Sequence, residues 1–132
     1  MRKRAGVIII KNNKLALIKR IKNEEIYYVI PGGQKEAGET LQQAAIREAK
    51  EELGVYITLG KRVVELTFNG QQIYFLATII GGGFGTGKGE EFSRAEECGS
   101  YEAVWLSLDE LQQHDVRPRE VIEYIKTAGP KI

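Results

Sequence analysis

The chain has 132 residues, enough for one hydrophobic core, and 42% of them are hydrophobic. Its 19 basic and 18 acidic residues nearly cancel, which excludes the strong field that would recruit DNA or an anionic membrane, and no apolar run is long enough to span a bilayer. The single cysteine, Cys98, excludes an internal disulfide. The composition therefore predicts one domain over residues 1–132 that works in the reducing cytoplasm.

The first part of the chain alternates β-rich runs with turn residues. Strands are predicted at residues 4–11 and 14–20, joined by a tight turn at Asn12 and Asn13, because asparagine tolerates the positive φ that such turns need. A third strand at residues 26–30 stops at Pro31-Gly32-Gly33, where a turn is expected.

A helix is predicted next, over residues 41–53. Thr40 and Gln43 have the spacing of a capping box, and Gly54 stands where a left-handed C-cap is expected. Strands are then predicted at residues 55–59, 61–68 and 71–80, with a hairpin turn at Asn69-Gly70 between the last two.

A glycine-rich loop at residues 81–89 precedes a short strand at residues 103–106 and helical segments at 108–113 and 119–127. The loop nearly matches a Walker phosphate-binding sequence, but Gly89 stands where a Ser or Thr would hold Mg²⁺. We interpret it as a mobile flap whose Phe84 or Lys88 contacts the substrate, or as a purely structural loop. The mixture of strands and helices indicates an α/β (α+β) sandwich.

Three carboxylates are brought together by the predicted helix. Glu48, Glu51 and Glu52 stand at i, i+3 and i+4, which places them on one face within roughly 100° of arc. A solvated acidic face is the simpler explanation. A helical projection favours glutamates that face the protein interior instead, because the three side chains continue the inward-facing stripe of the helix. That stripe contains Leu41, Ala44 and Ala45, whereas Gln43, Arg47 and Lys50 project to the other side.

Inward-facing carboxylates repel one another and are costly to desolvate unless a cation offsets their charge. Oxygen ligands prefer hard cations, so the pattern predicts Mg²⁺, with Mn²⁺ as a substitute. Arg47 can reach back toward Glu39 and orient the carboxylates, or form only a surface ion pair with Glu51. The glycines before the helix, including Gly33, either let the backbone approach a metal or substrate phosphate or simply make a tight connection.

Aromatic side chains in the predicted strands offer a base-stacking platform, although such residues usually pack in the core, which is the role we expect. They are Tyr27, Tyr28, Phe68, Tyr74, Phe75 and Trp105. His114, beside Asp115 near a helix end, is expected at the surface.

Residues 33–55 resemble the Nudix box: Gly, five residues, Glu, seven residues, Arg-Glu, an apolar residue, any residue, Glu-Glu, any residue, Gly and an apolar residue. The matching positions are Gly33, Glu39, Arg47, Glu48, Ala49, Glu51, Glu52, Gly54 and Val55. The segment ending in Pro31-Gly32 and residues 104–111 also resemble the surroundings of the box in that family.

This resemblance implies the Nudix fold, an α/β/α sandwich with a central mixed β-sheet. It also implies Mg-dependent hydrolysis of a phosphoanhydride bond in a nucleoside diphosphate linked to another group, by a chain that can form a homodimer. The first expected substrate is a nucleoside triphosphate. Alternatives are a nucleotide sugar such as ADP-ribose, a dinucleoside polyphosphate, or no reaction at all in a nucleotide-sensing or RNA-binding module.

The resemblance also implies roles for individual residues. Glu51 and Glu52 would bind metal with the Gly32 carbonyl, and Glu48 would bind metal or act as the base. Arg47 and Glu39 would orient them. A further glutamate outside the box would complete the site, and its distance before Trp105 favours Glu97 over the two other candidates. Those candidates are Glu96 and Glu102.

Overall fold

The computed structural model describes residues 2–86 and 100–128, which form eight strands, two α-helices and a 3₁₀ helix at Leu108–Gln113. The strands are β1 (Lys3–Lys11), β2 (Lys14–Lys22), β3 (Glu25–Val29), β4 (Gly32–Gln34), β5 (Val55–Thr67), β6 (Gln71–Gly82), β7 (Ser100–Ser107) and β8 (Val116–Arg117). The helices are α1 (Leu41–Leu53) and α2 (Arg119–Ala128).

The two predicted hairpin turns are confirmed by their backbone angles. Asn12 and Asn13 have φ values of 53° and 62°, and Asn69 and Gly70 have values of 52° and 105°. In the first turn, positive φ at both central residues matches the twist of the flanking strands. The second loop has three residues, 68–70, because Thr67 pairs with Gln71.

The strands form one curled, mixed sheet in the order β5-β6-β1-β2-β3-β8, with β4 added to β1 and β7 added to β2. Strand β1 connects the two halves of the sheet. Its early residues pair with β4 and β6, and its last residues pair with β2. The β1–β6 pairing is parallel, whereas the β1–β2 and β1–β4 pairings are antiparallel.

Helices cover both faces of this sheet, which confirms the predicted α/β/α sandwich. Alternate residues of β1 point to opposite faces: Val7 and Ile9 pack with α1, whereas Ile8 packs with α2. Each helix buries its apolar stripe against the sheet, with Ala45 and Leu53 from α1 and Ile122 from α2 at most 1% exposed. None of the described helices is long and apolar enough to cross a membrane.

Helix α1 begins and ends where its sequence predicts. The Thr40 hydroxyl accepts a hydrogen bond from the Gln43 backbone N–H at 3.0 Å, and the Gln43 side chain accepts one from the Thr40 N–H at 2.8 Å. Gly54 ends the helix in the left-handed conformation, with φ 78°. We expect Thr40→Ala to lower the free energy of unfolding by about 1 kcal/mol in chemical denaturation, because it removes one cap acceptor.

Several predicted boundaries are wrong. The expected break between residues 59 and 61 is absent, because the chain passes Gly60 inside β5 with register irregularities instead of a turn. Gly32 and Gly33 form β4 rather than a turn, since they pair with Gly6 and Ala5. Phe68, expected in the core, is 69% exposed beside the hairpin turn.

Candidate active site

A cavity of about 940 Å³ opens on the face of the sheet that α1 covers. One wall consists of carboxylates on α1, and the other described walls include cations on β1, β2 and the loop after β4. Among the described residues, its charged lining is Glu36, Glu48, Glu51, Glu52, Arg4, Arg20, Lys35 and Arg47. Three of the four carboxylates therefore lie on α1, and three of the four cations lie on other elements around the same space.

Arg47 connects the carboxylates to the loop before α1. Its Nε and Nη2 atoms donate to the two Glu39 carboxylate oxygens at 2.7 and 3.1 Å, a bidentate pair. Its Nη1 atom donates to Glu48 Oε1 at 2.9 Å and to Glu51 Oε2 at 3.1 Å, and Nη2 also donates to the Gln34 carbonyl at 3.1 Å. The alternative of an isolated surface pair with Glu51 is thus excluded.

These contacts change the proton affinities of both partners. The hydrogen bond to Glu39, with further contributions from Glu48, raises the pKa of Arg47 above its usual value. The hydrogen bonds from Arg47 and from the Glu36 backbone N–H lower the pKa of Glu39. Both groups are therefore held in their charged forms at neutral pH.

The helical projection is correct for two of the three box glutamates. Glu48 and Glu52 are each 6% exposed, whereas the Glu51 side chain is 42% exposed. The projection is wrong for Arg47, whose side chain is only 22% exposed. A projection locates the Cα–Cβ direction, but the long arginine side chain folds back along the helix to reach acceptors on both sides.

Glu52 joins the helix to strand β4. Its Oε1 atom accepts a hydrogen bond from the Gly32 backbone N–H at 2.7 Å. The Gly32 carbonyl, expected to bind metal, accepts a hydrogen bond from Arg4 Nη2 at 3.4 Å. Both backbone groups of Gly32 thus contact charged side chains.

Gly33 lies directly against the Glu48 carboxylate. A Cβ atom added at Gly33 would lie 2.7 Å from Glu48 Oε2 and closer still to Cδ and Oε1, where no real Cβ atom fits. A side chain at Gly33 is therefore incompatible with the observed position of Glu48.

We expect Gly33→Ala to lower the free energy of unfolding by about 1–3 kcal/mol, the usual cost of overpacking, and to reduce activity by displacing Glu48. Gly81→Ala is the matched control, because its Cβ would meet the Tyr56 ring at an ordinary 3.7 Å. Thermal unfolding of the two variants checks this, and equal midpoints would contradict the steric argument.

The described residues include no group of three or more His, Cys, Asp or Glu side chains arranged to hold a metal ion. In the structure, Arg47 binds Glu48 and Glu51, and the Gly32 N–H binds Glu52. The carboxylate ligands themselves fit a hard divalent cation, since the three carboxylates of α1 line one cavity. Such a cation would compete with Arg47 for Glu48 and Glu51.

Other predicted site residues lie elsewhere. The Phe84 ring stacks on Trp105 with centroids 4.6 Å apart and is not among the described residues that line the cavity. Glu102 neighbours Tyr101 on β7, so its side chain points to the opposite face of the sheet, away from the cavity that Tyr101 lines. Three predicted residues lie outside the described residues: Lys88, Glu96 and Glu97.

The cavity also contains residues that the sequence did not single out. Arg4, Arg20, Glu36 and Tyr101 line it, and Arg47 Nε lies 3.3 Å from Glu36 Oε1. Strand alternation alone could have placed Arg20 on the face of Ile18. The pairing of β2 with β7, which brings Tyr101 beside Arg20, connects distant parts of the chain and leaves no local signal.

Comparison with known proteins gives one family. A family model described as NUDIX domain matches residues 1–125. An ADP-ribose pyrophosphatase of Methanocaldococcus jannaschii is 49% identical over 49 residues, a segment that spans 36% of this chain and only 29% of that relative.

Solved structures agree with the fold. A chain from a structure and function analysis of MutT from Aliivibrio salmonicida and Vibrio cholerae superposes with a TM-score of 0.72 at 19% identity, covering 97% of this chain and 98% of that chain. An ADP-ribose pyrophosphatase from Streptococcus suis superposes with a TM-score of 0.70 at 18% identity, covering 96% and 90% of the two chains. At such identities, the likeness is one of fold.

Proposed function

Because the chain belongs to the Nudix family, we propose that it hydrolyses a phosphoanhydride bond in a nucleoside diphosphate linked to another group, using Mg²⁺ in the cytoplasm. One observation carries this proposal: the carboxylates of α1 and the cations of the neighbouring elements line the same cavity. The carboxylates suit a divalent cation, and the cations suit phosphate oxygens.

Glu48, Glu51 and Glu52 are the residues that would hold the metal, and Mn²⁺ would substitute for Mg²⁺. When bound, the ion would supply charge neutralisation for the phosphate oxygens and would lower the pKa of a bound water. Arg47 and Glu39 orient the carboxylates through the hydrogen bonds described above. Glu48 accepts the proton of the attacking water, or Glu97 does so from outside the described residues.

A nucleoside triphosphate is our first candidate substrate. Arg4, Arg20 and Lys35 line the cavity beside Arg47, and a triphosphate has the negative charge to engage several of them. Water would then attack to release a nucleoside monophosphate and pyrophosphate.

The relative from Methanocaldococcus jannaschii favours ADP-ribose as the second candidate. Hydrolysis would in that case yield AMP and ribose 5-phosphate. A dinucleoside polyphosphate is a further alternative that uses the same carboxylates.

The test is incubation of the chain with Mg²⁺ and a panel of nucleoside triphosphates, ADP-ribose and dinucleoside polyphosphates, with products identified by mass spectrometry. Parallel reactions in EDTA, and in EDTA with Mg²⁺ restored, separate metal-dependent hydrolysis from contaminating activity. We expect turnover that EDTA abolishes and Mg²⁺ restores. No turnover of any member would overturn the proposal and favour a nucleotide-sensing or RNA-binding module.

A further inference from the structure

Arg20 stands in a row of side chains that crosses three strands. On β2 it is paired with Tyr27 of β3 on one side and with Tyr101 of β7 on the other. Residues directly opposite each other in antiparallel strands share a face of the sheet. The three side chains therefore lie on the face where Ile18 lines the cavity.

The row continues to strand β8 through cation–aromatic contacts. The Arg20 Cζ atom lies 4.0 Å from the Tyr101 ring centroid and 5.6 Å from that of Tyr27. The Arg117 Cζ atom lies 4.1 Å from the Tyr27 centroid. All three distances fall within the roughly 6 Å over which a guanidinium and an aromatic ring attract. We call Tyr101, Arg20, Tyr27 and Arg117 the cation–aromatic row.

Arg117, at the outer end of the row, is itself fixed. Its Nε and Nη2 atoms donate to the two Asp115 carboxylate oxygens at 3.1 and 2.8 Å, and Nη2 also donates to Glu25 Oε1 at 2.5 Å. These hydrogen bonds raise the pKa of Arg117, with Asp115 as the larger cause, so the side chain is charged at neutral pH. The pairing of β8 with β3 keeps this guanidinium beside Tyr27.

Only the inner half of the row belongs to the cavity. Arg20 and Tyr101 line it, whereas Tyr27 and Arg117 are not among its described lining residues. A guanidinium whose face is covered by a ring still has its N–H groups in its plane, where they can donate to an anion. Rings near Arg20 therefore restrict the orientation of its guanidinium without hydrogen-bonding to its N–H groups. This restriction favours binding, because the side chain loses less conformational entropy when an anion binds.

We propose that Tyr27 and Arg117 are positioning residues that hold Arg20 in place to bind a phosphate of the substrate. Arg20 is the group that touches the substrate, and Tyr27 and Arg117 act through it from outside the cavity. The proposal rests on the proposed function for the identity of the anion. The proposal thus gives Arg117, an ion-paired arginine on β8, a role in substrate binding.

The test measures ADP binding by calorimetry in Mg²⁺, without turnover, for Tyr27→Leu and for Tyr27→Phe, which keeps the ring. We expect Tyr27→Leu to weaken ADP binding about two- to fivefold, the equivalent of one exposed cation–aromatic contact, and Tyr27→Phe to bind like the unsubstituted chain. Phe68→Leu, which removes an exposed ring beside the Asn69-Gly70 turn, is the matched control and should leave the affinity for ADP unchanged.

Arg117→Gln provides a second variant, because it removes the outer cation from an exposed position. It should weaken ADP binding in the same direction, and with an identified substrate it should raise KM at unchanged kcat. A merely structural role would lower the unfolding midpoint and leave ADP affinity unchanged.

Unchanged affinity in both Tyr27→Leu and Arg117→Gln, an equal loss in Tyr27→Phe, or no ADP binding by the unsubstituted chain would overturn the proposal. The outcome is separable from that of the proposed function. ADP binding that depends on Tyr27, in a chain without hydrolytic activity, would support the row and overturn the hydrolase. Hydrolysis by the unsubstituted chain, together with unaltered ADP affinity in the Tyr27→Leu and Arg117→Gln variants, would support the hydrolase and overturn the role of the cation–aromatic row.

Discussion

Replacing Glu52 with glutamine is expected to reduce turnover by more than about a hundredfold, beyond the roughly 10–100-fold effects typical of residues that only orient metal ligands. The substitution removes the charge that would bind the cation. It keeps an oxygen that can accept the 2.7 Å hydrogen bond from the Gly32 N–H, so α1 and β4 stay joined. Initial rates at saturating Mg²⁺, with circular dichroism as a check on folding, measure the effect.

Glu51→Gln should show a loss of similar size, although Glu51 is far more exposed than Glu52, because its role lies in cation binding rather than packing. Glu123→Gln is the matched control: it removes a carboxylate from the exposed side of α2. Full activity in either Glu51→Gln or Glu52→Gln would rule out the proposed roles of these carboxylates.

Replacing Arg47 with lysine is expected to reduce activity by about 10–100-fold, the usual cost of losing a group that orients metal ligands. Lysine keeps the positive charge, but its single ammonium group cannot reproduce the bidentate contact with Glu39 together with the contacts to Glu48 and Glu51. The free energy of unfolding should fall as well, by about 2 kcal/mol, since partly buried charged hydrogen bonds are lost.

Arg62→Lys is the control for this experiment. Arg62 and Glu65 form a surface ion pair at 3.9 Å with both side chains nearly half exposed, and such pairs contribute little to stability. Steady-state rates and chemical denaturation of the two variants should therefore differ clearly. Wild-type activity in Arg47→Lys would show that charge alone, without the directed hydrogen bonds, is what the site needs.

Local signals in the sequence predicted the elements that local chemistry determines. The capping box at Thr40 and the left-handed Gly54 set both ends of α1, and the Asn-Asn and Asn-Gly pairs set two hairpin turns. Each depends on residues within one turn of chain, so each can be read without knowledge of the fold.

Long-range pairing determined what the sequence did not predict. Glycines at positions 32 and 33 favour a turn by composition, but they form a strand because they pair with Gly6 and Ala5 of β1. Glu102 was a candidate for the site until the register of β7 on β2 directed it to the other face. The contacts of Arg47 could not be predicted from local sequence, because they depend on how the loop before α1 folds against the helix. Its most distant acceptor along the chain, the Gln34 carbonyl, is thirteen residues away.

The close packing around β4 has an evolutionary consequence. A Cβ atom at Gly32 would lie 2.5 Å from the Ala5 carbonyl oxygen, and one at Gly6 would lie 2.5 Å from the Tyr74 ring, in addition to the conflict at Gly33. A side chain at any of these three positions requires a neighbouring group to move, and at Gly32 that group is backbone. In a library of random variants selected for function, these sites should accept substitutions less often than Gly81, and the cavity, which Gly32 and Gly33 line, should vary mainly in its other walls.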